Sequence, residues 1–339
     1  MSKERESYFD NAKFILIFLV VFGHFISPHK EDSDALYTVY NFIYTFHMPA
    51  FILIGGFFSK GIMKKGHLKK VFRRLLIPYF IFQLINFVIL RFWNGTETFT
   101  LFQPYWTLWF LLSMVLWNIL LLLFIKLKHP AIMMIVAVTI GVFAGYIQDI
   151  GSYFSLSRTF VFFPIFLGGY LLSKEHFTKF LRTDIRIAAG ILFVGMFVSY
   201  IFFFPQEAKN WLLASSSYEK LGVELGQAWF IRLLMYGLMA LATFSFMAIV
   251  PRRKMFLTHL GARTLYVYLL HGSIVQLFKL SPLYDFVVES GNYFVLFVLA
   301  AIVTMILASK PILTLAQPII ELKTHMLQRL INRKTADVS

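Results

Sequence analysis

The chain has 339 residues, of which 58% are apolar and only 14% are charged. A soluble domain would carry about 25% charged residues, so this composition excludes a soluble fold and predicts an all-α polytopic membrane protein with no separate soluble domain. The net charge of +15 lies mainly in alternate loops, which argues against a nucleic-acid partner, and the absence of cysteine excludes disulfides and thiol chemistry.

Ten apolar segments follow one another along the chain, and lipid leaves helices as the only plausible spanning form for them. The first segment lacks a small-residue cleavage site and contains ionisable residues, so we interpret it as a retained span and not as a signal peptide. The predicted segments are about 9–28, 36–59, 72–92, 105–126, 129–147, 159–173, 185–205, 228–250, 262–280 and 291–309.

Loop charges predict the orientation of these spans. With the N-terminus inside, the inner segments hold 24 of the 32 lysines and arginines, and the outer segments hold six. This asymmetry satisfies the positive-inside rule and predicts about ten transmembrane helices with both termini in the cytoplasm. The six outer cations are Lys30, Arg91, Arg158, Lys209, Lys220 and Lys279.

The first segment contains Asp10, Lys13 and His24 on one helical stripe. A rise of about 1.5 Å per residue places His24 roughly 16 Å from Lys13. Because ionisable side chains are costly in lipid, we expect this stripe to face a bundle interior or a wet cavity, with Asp10 and Lys13 paired. His24 is a candidate general base or acyl carrier, and a histidine bonded between helices is the structural alternative.

Further polar and aromatic candidates lie in later segments. Arg158 is predicted on the outer side, against the charge bias, which favours a functional role. His47 and His271 are candidate cavity residues, with polar helix packing as the alternative. Trp109 is a candidate sugar-stacking residue, with anchoring at the membrane interface as the alternative.

The strongest basic cluster follows the second span. Lys70, Arg73 and Arg74 match what an anionic cofactor would need at the inner face, while orientation of the protein and contact with anionic lipid are the alternatives. No His-rich spacing of the HExxH type appears, so no metal site is predicted. The patterns alone leave three readings open: an enzyme, a transporter of a glycan or acylated solute, and a structural partner in a glycan-synthesis complex.

Six motifs, in order along nearly the whole chain, resemble the membrane-bound acyltransferase-3 family. Within that family the chain looks most like the branch labelled fucose 4-O-acetylase-like. The motifs are FDNAKFILIFLVVFGHF at 9–25, FHMPAFILIGGFF at 46–58, RRLLIPYF at 73–80, LWFLLSM at 108–114, SLSRTFVFFPIFLGGY at 155–170 and LGARTLYVYLLHG at 260–272.

The resemblance implies an O-acyltransferase of the bacterial cytoplasmic membrane. It implies that acetyl, or another short acyl group, moves from cytoplasmic acetyl-coenzyme A to a hydroxyl of a surface carbohydrate or its lipid-linked precursor, without a metal. His24 would act on the hydroxyl or carry the acyl group, and Arg158 would hold the acceptor or stabilise the oxyanion. Lys70, Arg73 and Arg74 would bind the coenzyme phosphates. Residues 1–310 would form the acyltransferase domain, and 311–339 a cytoplasmic basic amphipathic tail.

Overall fold

The computed structural model describes residues 3–94, 99–151, 153–205 and 208–322, and every regular element in those ranges is helical. The α-helices are α1 (Lys3–Ile26), α2 (Asp34–Phe58), α3 (His67–Asn94), α4 (Trp109–Phe124), α5 (Pro130–Phe143), α6 (Leu156–Leu171), α7 (Lys174–Phe180), α8 (Thr183–Phe203), α9 (Ala208–Leu213), α10 (Leu225–Ile249), α11 (Thr264–Phe278), α12 (Pro282–Ser290), α13 (Phe294–Leu307) and α14 (Lys310–Glu321). Short 3-10 helices lie at Ser27–His29, Ser59–Gly61, Trp106–Leu108, Ile125–Leu127, Ala144–Tyr146, Tyr153–Ser155, Glu219–Leu221 and Thr258–Arg263.

The all-helical, multi-pass architecture expected from the sequence is confirmed. Within the described ranges, seven helices are long and apolar enough to cross a membrane: α1, α2, α3, α4, α6, α8 and α10. Helices α13 and α14, bent by 67°, count as an eighth if taken as one broken span. Helices α5 and α11 lie on the fifth and ninth predicted segments but have only 14 and 15 residues. The count of ten and the cytoplasmic termini stay predictions.

Helix α2 is the central helix of the bundle. In its most apolar stretch 72% of the residues are buried, the largest share among the seven candidate spans of the described chain. It packs against α1, α6, α8 and α10. Its position brings its buried residues, His47 among them, into the interior of the bundle.

Glycines allow α2 and α6 to approach each other closely. A Cβ at Gly56 would overlap with the backbone carbonyl of Phe166, and a Cβ at Gly169 would overlap with the backbone carbonyl of Leu53. In membranes, small residues are favoured where two helix backbones meet, because dispersion contacts there replace the hydrophobic effect. One glycine from each pair in the two motifs, Gly56 and Gly169, therefore forms the seam between α2 and α6.

The connection between α8 and α10, which loop charges predict to be outer, is held to the bundle by polar contacts. The buried guanidinium of Arg232 donates from Nη1 to the carbonyl of Trp211 at 2.9 Å and lies 4.9 Å from the Trp211 ring. The Tyr218 hydroxyl donates to the carbonyl of Val142, and the Ser157 hydroxyl donates to the carbonyl of Ala214. Helix α9 is consequently held over the outer end of α6.

The last described helix, α14, lies against the bundle. It packs against α3, α11 and α13, and Glu321 accepts a hydrogen bond of 2.6 Å from the Tyr266 hydroxyl. The predicted tail of residues 311–339 starts within α14, and its residues 323–339 lie outside the described chain. The division of the chain at residue 310 stays a prediction.

The glycine seam makes a prediction about stability. We expect Gly56→Ala and Gly169→Ala each to lower the free energy of unfolding by about 1–3 kcal/mol, because the added methyl group forces two backbones apart. Thermal unfolding in detergent measures this loss. Gly195→Ala is the matched control: it lies within α8 with no atom within 4 Å of the new Cβ, so we expect it to be neutral or stabilising. Equal losses of unfolding free energy in all three variants would contradict the role of Gly56 and Gly169 in the close packing of α2 on α6.

Candidate active site

Helix α1 places two of its cationic or titratable groups at different depths. Lys13 lies toward the end of the bundle that loop charges predict to be inner, and His24 lies toward the outer end. The ammonium of Lys13 and the carboxylate of Asp10 are 2.7 Å apart, which confirms the expected ion pair. Both side chains keep about a quarter of their surface accessible, so the pair borders a cavity and is not sealed in the core.

The inner end of α1 is held by the turn after α10. A Cβ at Gly261 would overlap with the backbone of Asp10, so only glycine allows this approach. The buried amide of Asn11 donates to the carbonyls of Pro251 and Arg253, both at 2.9 Å, and accepts from the Thr258 hydroxyl at 2.5 Å. These contacts set the depth and rotation of α1, and with them the positions of its polar residues.

An inner cavity of about 530 Å³ lies beside Lys13. Its walls are mostly apolar, and the lysine, arginine and histidine side chains among its described lining residues are those of Lys13, His67, Lys70 and Arg74. The structure thus brings two of the three expected phosphate ligands to one cavity. The exposed Arg73 is not among the lining residues, because consecutive residues of a helix point in different directions.

An outer cavity of about 340 Å³ lies beside His24. Its lining residues include four of the residues expected from the sequence: His24, His47, Trp109 and Arg158. Trp106 also lines it, and the backbone φ of this residue is 37°, which is unusual for a tryptophan. Such backbone outliers cluster at functional sites, where the surrounding structure holds them in place.

The two cavities share part of their walls. Val20, Met48 and Tyr268 line both, and we call these three residues the neck. The Tyr268 hydroxyl donates to the backbone carbonyl of Thr107, which holds its ring in position between the cavities. Among the residues that the structure describes, these three side chains alone line both the inner cavity and the outer cavity.

Two aromatic rings flank His24. The edge of its ring meets Trp106 with centroids 4.5 Å apart, and His271 stacks on it with centroids 5.2 Å apart. The Nδ1 of His271 lies 2.7 Å from the carbonyl of Tyr268, which requires a proton on that nitrogen. His271 is fully buried and is not a cavity-lining residue, so the structure places it behind His24.

Arg158 is oriented by contacts on two sides. Its Nε donates to the carbonyl of Leu213 at 3.1 Å, and its guanidinium carbon lies 4.9 Å from the centre of the Trp109 ring. The ring of Trp109 thus carries the guanidinium on one face, and Phe162 stacks against it at 5.8 Å. A sugar that stacked on Trp109, as expected from the sequence, would have to use the same ring that Arg158 contacts.

His47 is fixed on the wall of the outer cavity. Its Nδ1 lies 2.7 Å from the carbonyl of Ile43 and must carry a proton there, which leaves Nε2 as the acceptor when the ring is neutral.

The described residues contain no group of three or more His, Asp or Glu side chains placed to hold a metal ion.

Several site residues were not anticipated from the sequence. Val20 and Met48 look like ordinary apolar helix residues, and no local pattern distinguishes them from core positions. Lys30 and Lys209 line the outer cavity, and their signal was available, because both belong to the few cations on the outer side. Asn11 follows Asp10 directly, and a polar amide within an apolar segment was its only signal.

A family model described as "Acyltransferase domain" matches residues 6–309, which is nearly the whole chain. The chain belongs to this family, Acyl_transf_3. A curated protein similar to this chain is nodulation protein NolL of Mesorhizobium japonicum, which is 33% identical over 125 residues. The aligned part makes up 32% of this chain and 34% of NolL, so it spans about a third of that relative. No solved structure matches the chain significantly.

The family membership confirms the resemblance drawn from the six motifs. The protein is a multi-pass membrane protein that carries an acyltransferase domain of this family. O-acyl transfer as its activity and the narrower branch, fucose 4-O-acetylase-like, stay predictions, as do the donor, the acceptor and the roles of individual residues.

Proposed function

We propose that this acyltransferase moves an acetyl, or another short acyl, group from cytoplasmic acetyl-coenzyme A to a hydroxyl of a cell-surface carbohydrate or its lipid-linked precursor. We place it in the bacterial plasma membrane and in the fucose 4-O-acetylase-like branch. The observation that carries the proposal is the pair of cavities that share the three neck residues, with cationic groups lining the inner one and His24 lining the outer one.

The inner cavity suits a nucleotide thioester. Lys70 and Arg74 offer cationic donors for phosphates, and an Arg guanidinium can bind a phosphate with two parallel hydrogen bonds. The apolar walls, which include Ile17 and Phe51, suit an extended acyl-carrying arm directed toward the neck. The Asp10–Lys13 ion pair keeps the ammonium of Lys13 at the cavity edge.

The outer cavity suits an acceptor hydroxyl beside a base. In the proposed step His24 takes the hydroxyl proton while the hydroxyl oxygen bonds to the thioester carbonyl carbon. The carbon–sulfur bond then breaks, and the leaving thiolate takes the proton back from His24. Because the two cavities share the neck residues, donor and acceptor bound in them would lie on opposite sides of these three side chains, and we therefore propose direct transfer across the neck over an acyl-histidine carrier.

Arg158 and His271 complete the proposed arrangement. In the described chain, no hydrogen-bond partner is found for the two Nη atoms of Arg158, so they are available to the acceptor or to the developing oxyanion. The ring of His271 stacks on the ring of His24 and holds its orientation, so His271 acts as a positioning residue.

We expect His24→Ala to lower acetyl transfer at least about 100-fold, because a positioned general base contributes that much or more. The assay follows acetyl transfer by purified protein in detergent, where no gradient exists and transport cannot account for product. Binding of acetyl-coenzyme A should be unchanged, and His129→Ala, at an exposed histidine, is the control. Normal turnover in His24→Ala would remove His24 from the chemistry, and an acetylated His24 peptide formed before acceptor is added would replace direct transfer by a carrier route.

We expect Lys70→Gln and Arg74→Gln each to raise the KM for acetyl-coenzyme A about tenfold, which corresponds to about 1.4 kcal/mol. Each substitution removes one charge-assisted contact to phosphate. Lys65→Gln, at an exposed position of the same basic loop, should leave the KM unchanged. Arg73→Gln should have a smaller effect than Arg74→Gln, and the reverse order would show that the coenzyme phosphates lie outside the inner cavity.

We expect Met48→Trp to lower turnover at least about tenfold while the affinity for acetyl-coenzyme A stays within about twofold, because the larger ring narrows the neck without touching the inner basic residues. Met48→Leu, which conserves volume, should stay close to wild type. Binding and turnover are measured on the same detergent preparation. Unchanged turnover in Met48→Trp would show that the acyl group does not pass the neck.

A further inference from the structure

Four of the six cations predicted on the outer side lie at or beside one cavity. The positive-inside rule disfavours outer lysine and arginine, and the chain carries only six of them by the predicted orientation. Three of these, Lys30, Arg158 and Lys209, line the outer cavity. A fourth, Lys279, lies 5.2 Å from the centre of the ring of Trp106, which also lines that cavity.

The described lining of the outer cavity contains no Asp or Glu, and the carboxylate that pairs with its lysines, that of Glu31, lies outside this lining. One exposed carboxylate leaves an excess of positive charge among these cations, and like charges repel one another, so a fold keeps such an arrangement where an anion is bound. A neutral sugar would need hydroxyl and amide partners and would not require cations. The charge pattern therefore indicates that the acceptor carries a negative group.

The two lysines stand at the mouth of the outer cavity. Lys30 and Lys209 also line a neighbouring polar recess of about 290 Å³, together with Glu31, Ser33, Asp34, Tyr37 and Asn210. Only about a fifth of each lysine side chain is accessible, so both ammonium groups are held in place. The Nζ of Lys30 donates to the carbonyl of Ser27 at 3.0 Å, which fixes it further.

Glu31 already shows how these lysines hold a carboxylate. One oxygen of Glu31, Oε1, lies 3.0 Å from the Nζ of Lys209 and 3.7 Å from the Nζ of Lys30. The hydrogen bond and charge of Lys209 lower the pKa of Glu31, so Glu31 is ionised at neutral pH. Its side chain is 68% exposed on a short loop, so an incoming anion can displace it at little cost.

We propose that Lys30 and Lys209 bind an anionic group of the acceptor, either the carboxylate of an acidic sugar or the phosphate of a lipid carrier, with Glu31 occupying the site until the acceptor arrives. This inference rests on the proposed function, since it places the acceptor in the outer cavity with its hydroxyl toward His24. It adds that the acceptor is anionic and that Glu31 competes with the acceptor for the two lysines until it is displaced.

The test compares the full-length protein in lipid nanodiscs with matched acceptors. The probes are methyl glycosides of glucose, galactose and mannose, their uronic acid counterparts, and the same sugars linked to a polyprenyl phosphate. Equilibrium binding is measured for each. Preference for the uronides assigns the anion to the sugar, and preference for the polyprenyl-linked sugars assigns it to the carrier. If no anionic probe binds more tightly than its neutral counterpart, the proposal is overturned.

Two kinds of variant should act in opposite directions. Lys30→Gln and Lys209→Gln should weaken binding of the preferred anionic probe about fivefold, in the upper range for a single exposed ion pair. Glu31→Gln should strengthen it about two- to fivefold, because the internal competitor loses its charge. Lys220→Gln, at an exposed outer lysine outside the cavity lining, should change nothing. Weaker binding in Glu31→Gln would contradict the competitor role.

Hydrolysis of acetyl-coenzyme A without acceptor, measured on the same preparations, reports separately on the donor half of the proposed function. Hydrolysis with no anion preference overturns this inference alone. Absence of both binding and hydrolysis of acetyl-coenzyme A overturns the proposed function, and with it the placement of the acceptor.

Discussion

The high free-energy cost of placing ionised groups in lipid determines most of this structure. Helix α1 carries Asp10, Lys13 and His24 at membrane depth, and such groups are tolerated only where protein or water surrounds them. The fold meets this demand by pairing Lys13 with Asp10 at the edge of the inner cavity and by placing His24 on the wall of the outer one. The cavities thus give the polar side chains of α1 surroundings other than lipid, in addition to offering space for ligands.

Close backbone packing shapes the space between these groups. The glycines of α2 and α6 bring the two helices together, and Gly261 allows the turn after α10 to reach the start of α1. Interfaces of this kind have little freedom to shift, because backbone meets backbone with no flexible side chain between them. The residues that line the cavities are therefore carried on helices whose relative depth is well defined, as the proposed transfer across the membrane would require.

The arrangement separates two recognition problems. The inner cavity combines cationic side chains with mostly apolar walls, whereas the outer cavity combines aromatic rings, histidines and an excess of positive charge. Under the proposed function, the donor and acceptor never need to share a compartment, and only the reacting atoms meet at the neck. Selectivity for the acceptor can then change through the outer lysines without disturbing the donor site.

Length, apolar content and loop charge already determined that this is a helical membrane protein, because those properties follow from composition alone. The spacing of Asp10, Lys13 and His24 also sufficed to predict an ion pair and an inward-facing stripe, since helix geometry is local. Which residues line a cavity was decided by tertiary structure: Arg74 and Lys70 do, and Arg73 does not. The neck residues Val20, Met48 and Tyr268 come from segments far apart in the chain, as do Lys209 and Glu31, and no local pattern predicts which of these residues meet.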